Sequence, residues 1–212
     1  MEDWEHVIYD LKHEVFVPID EKSIQFPMGK GEFGYLRPVA AGQYSDQDVS
    51  MMWTTRTEHG HWAYSTFHVT KPGTQKWLDE IIIPAPDGIL FMIEHESDRR
   101  VGHIGLQNIA PPVAEIGYVM RGSADAPKGI MSDAMRALMG WASRELGITT
   151  FTARVWSDNI RSLNLFVRNS FVFTDCTEKW LMTIDQSHRQ WVETRVKPNS
   201  PRRFELTLGR KL

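Results

Sequence analysis

The segment from Val113 to Trp156 constrains the fold more than any other part of the chain, because its hydrophobic period changes twice. VAEIGYVM (113–120) alternates like a strand, residues 130–146 repeat apolar side chains every three or four positions, and TTFTARVW (149–156) alternates again. A strand, a helix and a strand in this order form a crossover unit whose two strands run parallel. The segment therefore predicts an α/β fold with a parallel strand pair.

The segments on either side of this crossover read as further strands and helices. Strands at 89–96 and 100–108 precede it, separated by Ser97-Asp98 and followed by Pro111-Pro112, and such short connections favour antiparallel neighbours. Start signals and spacing predict helices over about 45–60, 70–83, 130–146 and 159–169, and strands over about 33–39, 171–181, 189–196 and 202–209. The predicted fold class is mixed α/β (α+β): a mostly antiparallel sheet with one parallel pair and about four helices.

The N-terminal residues 1–32 are predicted to form an extension, irregular or strand-like, ahead of a single domain over residues 33–212. The boundary contains GKGEFG (29–34), which matches the G-x-G-x-x-G pattern of nucleotide-binding loops. Such a loop follows a strand and opens a helix, whereas this stretch follows a proline-broken segment and runs into the strand Phe33–Val39. We interpret it as an approach to that strand rather than a phosphate loop.

Composition excludes several classes of protein. The formal net charge of −3 and the pI near 6.2 argue against a nucleic-acid partner. Cys176 is the only cysteine, the N-terminus lacks the order of a signal peptide, and no apolar run approaches the ~18 residues of a membrane span. We therefore expect a cytoplasmic protein with no membrane partner. The C-terminal basic residues, interpreted as the solvated face of a strand, are Arg195, Lys197, Arg202, Arg203, Arg210 and Lys211.

The stretch RGSADAPKGIMSDAM (121–135) is the better candidate for a phosphate site, since it follows a predicted strand and opens the crossover helix. Gly129 allows a tight turn, and the unpaired amides at this helix start belong to Gly129, Ile130, Met131 and Ser132. Every helix start offers such donors. The pattern alone is therefore compatible with an anion site or with an ordinary helix start.

The sequences K-G-I-M-S (128–132) and S-D-N-x-x-S (157–162) resemble two motifs of the Gcn5-related N-acetyltransferase (GNAT) superfamily. Within it, they are most similar to the branch that acetylates ribosomal-protein N-termini and small amines. The resemblance runs from about Gly102 to Phe171 and implies that the two parallel strands splay apart to bind the pantetheine arm of acetyl-CoA, the expected co-substrate. The contacts that it implies are Tyr118, Val119, Met120, Lys128, Gly129, Ile130, Met131, Ser132 and Asn159. Asn159 is explained equally well as a helix cap.

Acetyl transfer needs a base for the amine, a donor for the oxyanion and often a proton for the leaving thiolate. The resemblance implies Glu115 as the base, although Glu115 can instead face outward from a half-exposed strand. It also implies an oxyanion donor among the amides of Tyr118 to Met120. Phe166 occupies the position at which many members carry an acidic tyrosine, so Ser162 is the candidate donor to the thiolate, or an ordinary helix serine.

The acceptor is expected between the two N-terminal helices and the late strands, near His59, His61, Trp62, Tyr64, His68 and Trp77. The H-x-H pair lacks a third metal ligand, so no metal is expected. The predicted function is acetyl transfer to the primary amine of a small molecule, such as an amino sugar or its nucleotide conjugate. Two alternatives stay open: an acetyltransferase for protein N-termini and a catalytically weak module that binds acyl-CoA. A homodimer through the late strands is compatible with the resemblance.

Overall fold

The structure, a computed structural model, describes residues 2–96, 99–194 and 198–212. These contain five α-helices: α1 (Asp3–His13), α2 (Asp46–Glu58), α3 (Lys71–Trp77), α4 (Ile130–Glu145) and α5 (Ile160–Arg168). They also contain ten strands: β1 (Ile24–Pro27), β2 (Phe33–Pro38), β3 (Ser65–Thr66), β4 (Ile89–His95), β5 (Arg99–Ala110), β6 (Val113–Arg121), β7 (Thr150–Trp156), β8 (Val172–Thr183), β9 (Arg189–Val192) and β10 (Arg202–Lys211). The predicted turn at Ser97-Asp98, the C-terminal part of the predicted strand 189–196, and the basic residues Arg195 and Lys197 lie outside the described residues.

All ten strands belong to one sheet, in the order β1-β2-β4-β5-β6-β7-β10-β8-β9-β3. Within it β6 and β7 pair in parallel, and every other described pair is antiparallel. The predicted mixed α/β class, with its single parallel pair, is confirmed. None of the helices in the described ranges has the length and apolarity needed to cross a membrane.

The predicted helix starts of α2 and α3 are confirmed by their capping bonds. The Ser45 side chain accepts a hydrogen bond from the Asp48 amide, and the Asp48 carboxylate accepts one from the Ser45 amide, which is a complete capping box. Thr70 caps α3 by accepting from the Gly73 amide. After Trp77 the helix continues as one π-helical turn over Leu78–Ile82.

The N-terminus differs from the prediction, because residues 3–13 form α1 rather than irregular or strand-like structure. Ile8 of this helix is buried in the main core. Lys12 is buried as well, and its Nζ donates hydrogen bonds to the carbonyls of Ala85 and Gly88. Burial lowers the pKa of Lys12 to about 8, an effect that the nearby Asp87 partly offsets. The domain boundary at residue 33 stays a prediction.

The GKGEFG stretch forms the turn of a β-hairpin. Strands β1 and β2 pair antiparallel on either side of it, with Pro27 opposite Phe33, and the Met28 amide donates to the Glu32 carbonyl. No helix follows, as the sequence predicts, so this pattern lacks the strand-to-helix geometry of a nucleotide loop.

The sheet separates two hydrophobic clusters because successive residues of a strand face opposite sides. On β4, Phe91 and Ile93 belong to the larger core, which includes most of α4, whereas Leu90 and Met92 pack with α2 and the helical turn after α3. The helix that begins the predicted cofactor site and the helices of the predicted acceptor site therefore cover opposite faces of the sheet.

Buried ion pairs fasten α2 to the sheet. The Arg37 guanidinium contacts the carboxylates of Asp48, at 2.7 Å, and Glu94, at 2.9 Å, and Arg100 also donates to Asp48. The Asp48 side chain is fully buried. Burial alone would raise the pKa of Asp48, but the Ser45 amide and the guanidiniums of Arg37 and Arg100 outweigh it and lower that pKa.

Candidate functional site

The parallel strands β6 and β7 separate after three residue pairs. Val113, Ala114 and Glu115 pair with Thr150, Phe151 and Thr152, and no later residue of β6 has a partner on β7. On its other side β7 stays paired with β10 as far as Trp156. The result is a wedge whose β6 wall, over residues 116–121, has no strand partner on the β7 side, as the prediction of a splayed pair requires.

A β-bulge in β6 shapes this wall. Gly117 pairs with Gly105 and Met120 pairs with His103, so one extra residue of β6 is accommodated at Tyr118 and Val119. Tyr118 has a φ of 56°, in the left-handed region. Its carbonyl is hydrogen-bonded by Nδ1 of His103, a buried residue whose pKa is lowered by burial to about 4. A neutral His103 therefore supports the bulge, a structural role compatible with its place on β5.

The loop between β6 and α4 is braced by Arg121, a residue that the sequence analysis did not assign. Its guanidinium donates to the carbonyls of Ser123, Ala124 and Ala126 at 2.8–2.9 Å. These bonds turn the loop carbonyls toward Arg121 and so fix the course of the loop that leads into α4. Ala126, in the same loop, is buried.

Helix α4 begins with a left-handed glycine and unpaired amides. Gly129 has a φ of 96°, a conformation open to glycine and strained for other residues. Two of the four predicted donors are already used, since the amides of Ile130 and Ser132 donate to backbone carbonyls. Among the described residues, the amides of Lys128, Gly129 and Met131 have no hydrogen-bond partner. Three amides at a helix N-terminus form a cradle suited to a pyrophosphate group.

Helix α5 begins at the residues that the second motif predicts, and its other end lies beside the first turn of α4, where Asn169 and Ser132 are hydrogen-bonded. Asn159 is its N-cap and accepts from the Ser162 amide at 3.2 Å, so its role as a helix cap is realised. Ser162 is partly exposed on the first turn. Phe166 is buried against Phe171, with ring centroids 5.1 Å apart, and belongs to the main core. The family's tyrosine position is therefore a packing position in this chain.

Glu115 lies at the apex of the wedge and is held by three donors. Its Oε1 accepts from Gln107, at 2.8 Å, and Arg154, at 2.9 Å, and its Oε2 accepts from Asn108 at 2.9 Å. The side chain is only 12% exposed. Because a carboxylate offers about four acceptor positions, one position remains for a water molecule or an amine.

An aromatic layer continues from Glu115 along the same face of the sheet. The Arg154 guanidinium lies 5.6 Å from the centre of the Tyr64 ring, and that ring lies 4.7 Å from Trp156. Trp156 in turn lies 5.5 Å from Trp191. The Tyr64 hydroxyl is buried, and it has no hydrogen-bond partner by distance and angle among the described residues. The pKa of Tyr64 is raised, mainly by burial and secondly by the nearby Glu205 carboxylate.

A cleft of about 550 Å³ opens beyond this layer. Its lining residues are Arg56, Thr57, Gly60, His61, Ser65, Thr66, Phe67, His68, Val69, Leu181, Trp191 and Arg203. They come from the end of α2, the chain after it and the strands β3, β8, β9 and β10. The cleft shares Trp191 and Arg203 with the aromatic layer, because the Arg203 guanidinium lies 4.9 Å from the Trp156 ring.

Only part of the expected acceptor region lines this cleft. His61 and His68 do, whereas the Trp77 ring lies 5.9 Å from the Tyr118 ring and packs against the smaller hydrophobic cluster. Arg203 was predicted to lie on the solvated face of a strand, but its side chain is only 16% exposed and is ion-paired with Asp158. Arg56 and Trp191 were not singled out by the sequence, because nothing local indicates that their distant segments meet.

The described residues bring together one group with metal-ligating chemistry, and it does not include the H-x-H histidines. Its members, Glu32, His95 and Glu96, lie at the β2–β4 edge with their ligand atoms within 4.8 Å of one another. Both glutamates are exposed.

Solved structures that share this fold include three acetyltransferases. A GCN5-related N-acetyltransferase from Brucella melitensis is 16% identical with a TM-score of 0.64, covering 88% of this chain and 78% of its own. RimL, a ribosomal L7/L12 α-N-protein acetyltransferase in complex with coenzyme A, is 17% identical with a TM-score of 0.62, covering 89% and 98%. A spermidine N-acetyltransferase from Vibrio cholerae, in complex with CoA and spermine, is 12% identical with a TM-score of 0.63, covering 84% and 95%.

No protein with a curated description matches the chain in sequence. The sequence model of the acetyltransferase (GNAT) domain, however, matches residues 35–172. That range begins in β2 and ends at the first residue of β8, so it includes the wedge, the amide cradle and α5. Because the match spans more than half of the chain, the protein belongs to the GNAT acetyltransferase family and is an acyltransferase by class.

Proposed function

We propose that this protein transfers the acetyl group of acetyl-CoA to the primary amine of a small molecule. The observation that carries the proposal is that the strand which forms one wall of the β6–β7 wedge leads directly to the unpaired amides of Lys128, Gly129 and Met131. The wedge suits an extended amide-containing arm, because the free backbone groups of β6 can pair with it as a neighbouring strand would. The cradle suits the pyrophosphate at the end of that arm.

The remaining cofactor contacts follow from this placement. Tyr118, Val119 and Met120 form the β6 wall, and Ile130 and Ser132 complete the first turn of α4 behind the cradle. Asn159 lies at the start of α5, where its amide nitrogen is available to acetyl-CoA while its Oδ1 caps the helix. A buried Ile130 and a partly buried Met131 anchor the turn to the core, so the cradle is rigid before a ligand arrives.

Glu115 is the proposed base, and the support is its position at the apex of the wedge. Three donors fix the carboxylate, and the fourth acceptor position can take a proton from the amine directly or through one water molecule. An amide of the bulge at Tyr118 to Met120 is the proposed oxyanion donor. Ser162 is the proposed donor to the leaving thiolate, since the buried Phe166 has no proton to give.

The form of the cleft favours a small molecule over a protein N-terminus. A volume of about 550 Å³ falls within the range of small-molecule pockets, and aromatic and polar groups alternate along its walls. An amino sugar or its nucleotide conjugate is compatible with this size. Acetylation of a protein N-terminus is the second candidate, and a catalytically weak module that binds acyl-CoA is the third.

The test is a turnover assay with acetyl-CoA that scores free thiol and the acetylated product by mass spectrometry. Primary amines from amino sugars, amino acids and polyamines form one arm, and peptides with free N-termini form another. Acetylation confined to small amines supports the proposal, whereas acetylation confined to peptides supports the second candidate. If acetyl-CoA binds without turnover in either arm, and binds to Glu115→Gln as tightly as to the wild type, the result would support the third candidate, a module that binds acyl-CoA. The cytoplasmic location and a homodimer stay predictions.

A further inference from the structure

Arg56 carries a positive charge into the cleft that no described carboxylate neutralises. It lies in the last turn of α2 and donates to the carbonyls of Gly60, at 3.1 Å, and Ser65, at 2.9 Å. Its guanidinium also lies 5.7 Å from the centre of the Phe67 ring. Among residues 2–96, 99–194 and 198–212, no Asp or Glu oxygen lies within 4.0 Å of it. Burial lowers the pKa of Arg56, which reflects the cost of leaving this charge without a counterion.

The two hydrogen bonds of Arg56 leave part of its donor capacity unused. A guanidinium carries enough N–H groups for a bidentate contact with a carboxylate or phosphate in addition to two carbonyl bonds. The carbonyl bonds come from Nη1 and Nη2 and fix the orientation of the planar group, so its remaining N–H donors, Nε among them, are held in place at the cleft wall. A preorganised donor edge of this kind is typical of anion recognition.

The rest of the cleft adds no negative charge to its described lining. The other charged lining residue, Arg203, is paired at 2.7–2.8 Å with both oxygens of Asp158, which lies outside the lining. His61 and His68 supply ring nitrogens, and the other walls are neutral. A polycationic amine would therefore meet repulsion from Arg56 with no carboxylate in this lining to offset it.

We propose that Arg56 binds an anionic group of the acceptor, so that the substrate is an amine that also carries a carboxylate or a phosphate. The inference rests on the proposed function, because it takes the cleft as the acceptor site. The amine end then lies toward Glu115 and the aromatic layer, and the anionic end lies toward the end of α2. Phe67 and Trp191 line the space between the two ends and suit a ring or an alkyl segment.

The first experiment measures anion binding without catalysis. Protein saturated with CoA, so that the cradle at α4 is occupied, is titrated with inorganic phosphate and separately with acetate, and tryptophan fluorescence reports on Trp191. We expect saturable binding that weakens about tenfold or more in Arg56→Gln, the effect of losing a charge-assisted hydrogen bond. Arg144→Gln, which removes an exposed arginine at the end of α4, is the matched control and should bind like the wild type.

Arg56 also supports the chain after α2, so a second variant keeps the test decisive. Arg56→Lys retains the charge and loses the planar fork, and we expect an intermediate loss of affinity at an unchanged melting temperature. The inference would be overturned if the wild type and Arg56→Lys bind the anion equally and a folded Arg56→Gln also retains that binding. The stronger of the phosphate and acetate responses identifies which anion the site prefers.

The second experiment compares acetyl transfer to three matched amines: ethanolamine, β-alanine and O-phosphoethanolamine. The inference predicts a higher kcat/KM for at least one anionic amine than for ethanolamine, and a preference that collapses in Arg56→Gln. Faster transfer to ethanolamine would overturn it. Anion binding at Arg56 with no transfer to any amine would support the anion site and overturn the proposed function, so the two failures are distinguishable.

Discussion

The two halves of the site are built in different ways. The proposed cofactor half, residues 113–171, relies on backbone groups: an unpaired strand edge and the amides at the start of α4. The proposed acceptor half, formed by the end of α2, residues 60–69 and strands β8–β10, relies on side chains that come from distant parts of the chain. Backbone recognition depends on the course of the chain and tolerates substitution, because every residue other than proline carries the same amide donor. Side-chain recognition changes with each residue, so specificity for the acceptor belongs to the second half.

The largest expected effect is at Glu115, where the two halves meet. Glu115→Gln keeps the size of the side chain and removes the base, so we expect kcat to fall by about 10²–10⁴-fold. The KM for acetyl-CoA should change little, because Glu115 lies outside the phosphate cradle. Steady-state kinetics measure both constants, with Glu145→Gln on the exposed end of α4 as the control. An unchanged kcat in Glu115→Gln would assign Glu115 a purely structural role.

The acceptor half depends on the buried ion pairs at the start of α2. Asp48→Ala leaves Arg37 and Arg100 without a shared partner, and we expect about 3–5 kcal/mol less free energy of unfolding by urea denaturation. Asp46→Ala, in the same helical turn, removes an exposed ion pair with Lys71 and should cost less than about 1 kcal/mol. Equal losses in the two variants would contradict the account of how α2 is held.

The same ion pairs predict a pH dependence. Because the pKa of Asp48 is lowered in the folded state, its contribution is fully present above the unfolded value of 3.8 and is lost as pH falls through the lower, folded value. The free energy of unfolding should therefore decrease below about pH 4 in the wild type. The decrease should be smaller in Asp48→Asn, which has no carboxyl at this position to titrate.

The proposed cofactor half is tested by two glycines that both have a positive φ. Gly129 and Gly147 flank α4 with φ values of 96° and 69°, so alanine at either position carries a similar strain of about 1–2 kcal/mol. Only Gly129→Ala places a methyl group at the cradle and alters its amides. We expect acetyl-CoA affinity to fall about tenfold in Gly129→Ala and to be retained in Gly147→Ala, as measured by calorimetry. If the two variants lose acetyl-CoA affinity equally, reduced stability alone would explain the effect.

The smallest expected effect is at Ser162. A CoA thiolate can leave without a strong acid, so Ser162→Ala should lower kcat by no more than about tenfold. Its KM for acetyl-CoA should stay close to the wild-type value. A loss as large as that of Glu115→Gln would show that Ser162 has a greater role than hydrogen bonding to the leaving group.

The strands and the helix of the proposed cofactor half were predictable from the sequence because they are local and periodic. The alternation of β6 and β7, the apolar stripe of α4 and the glycine before it are each contained in a short segment. The bulge at Tyr118 and the brace from Arg121 were not predictable, since they depend on the register of β5 and on where loop carbonyls point. Helix α1 had an available signal in the helical spacing of its apolar residues.

The sequence indicated the general region of the cleft but not most of the side chains that line it. Arg56 ends one helix and Trp191 lies far along the chain on β9, and their meeting depends on the sheet order β10-β8-β9-β3. The position of Arg203 facing inward follows from the same order, because its strand lies between β7 and β8. Long-range strand order is set by the whole core rather than by local patterns, so these side chains could be placed only with the structure.

The most direct test of the division is a calorimetric titration of acetyl-CoA into three proteins: the wild type, Gly129→Trp and Arg56→Gln. We predict micromolar binding by the wild type, no measurable binding by Gly129→Trp because the indole fills the cradle, and unchanged binding by Arg56→Gln because its charge serves the acceptor. Binding retained in Gly129→Trp, or lost in a folded Arg56→Gln, would contradict the account.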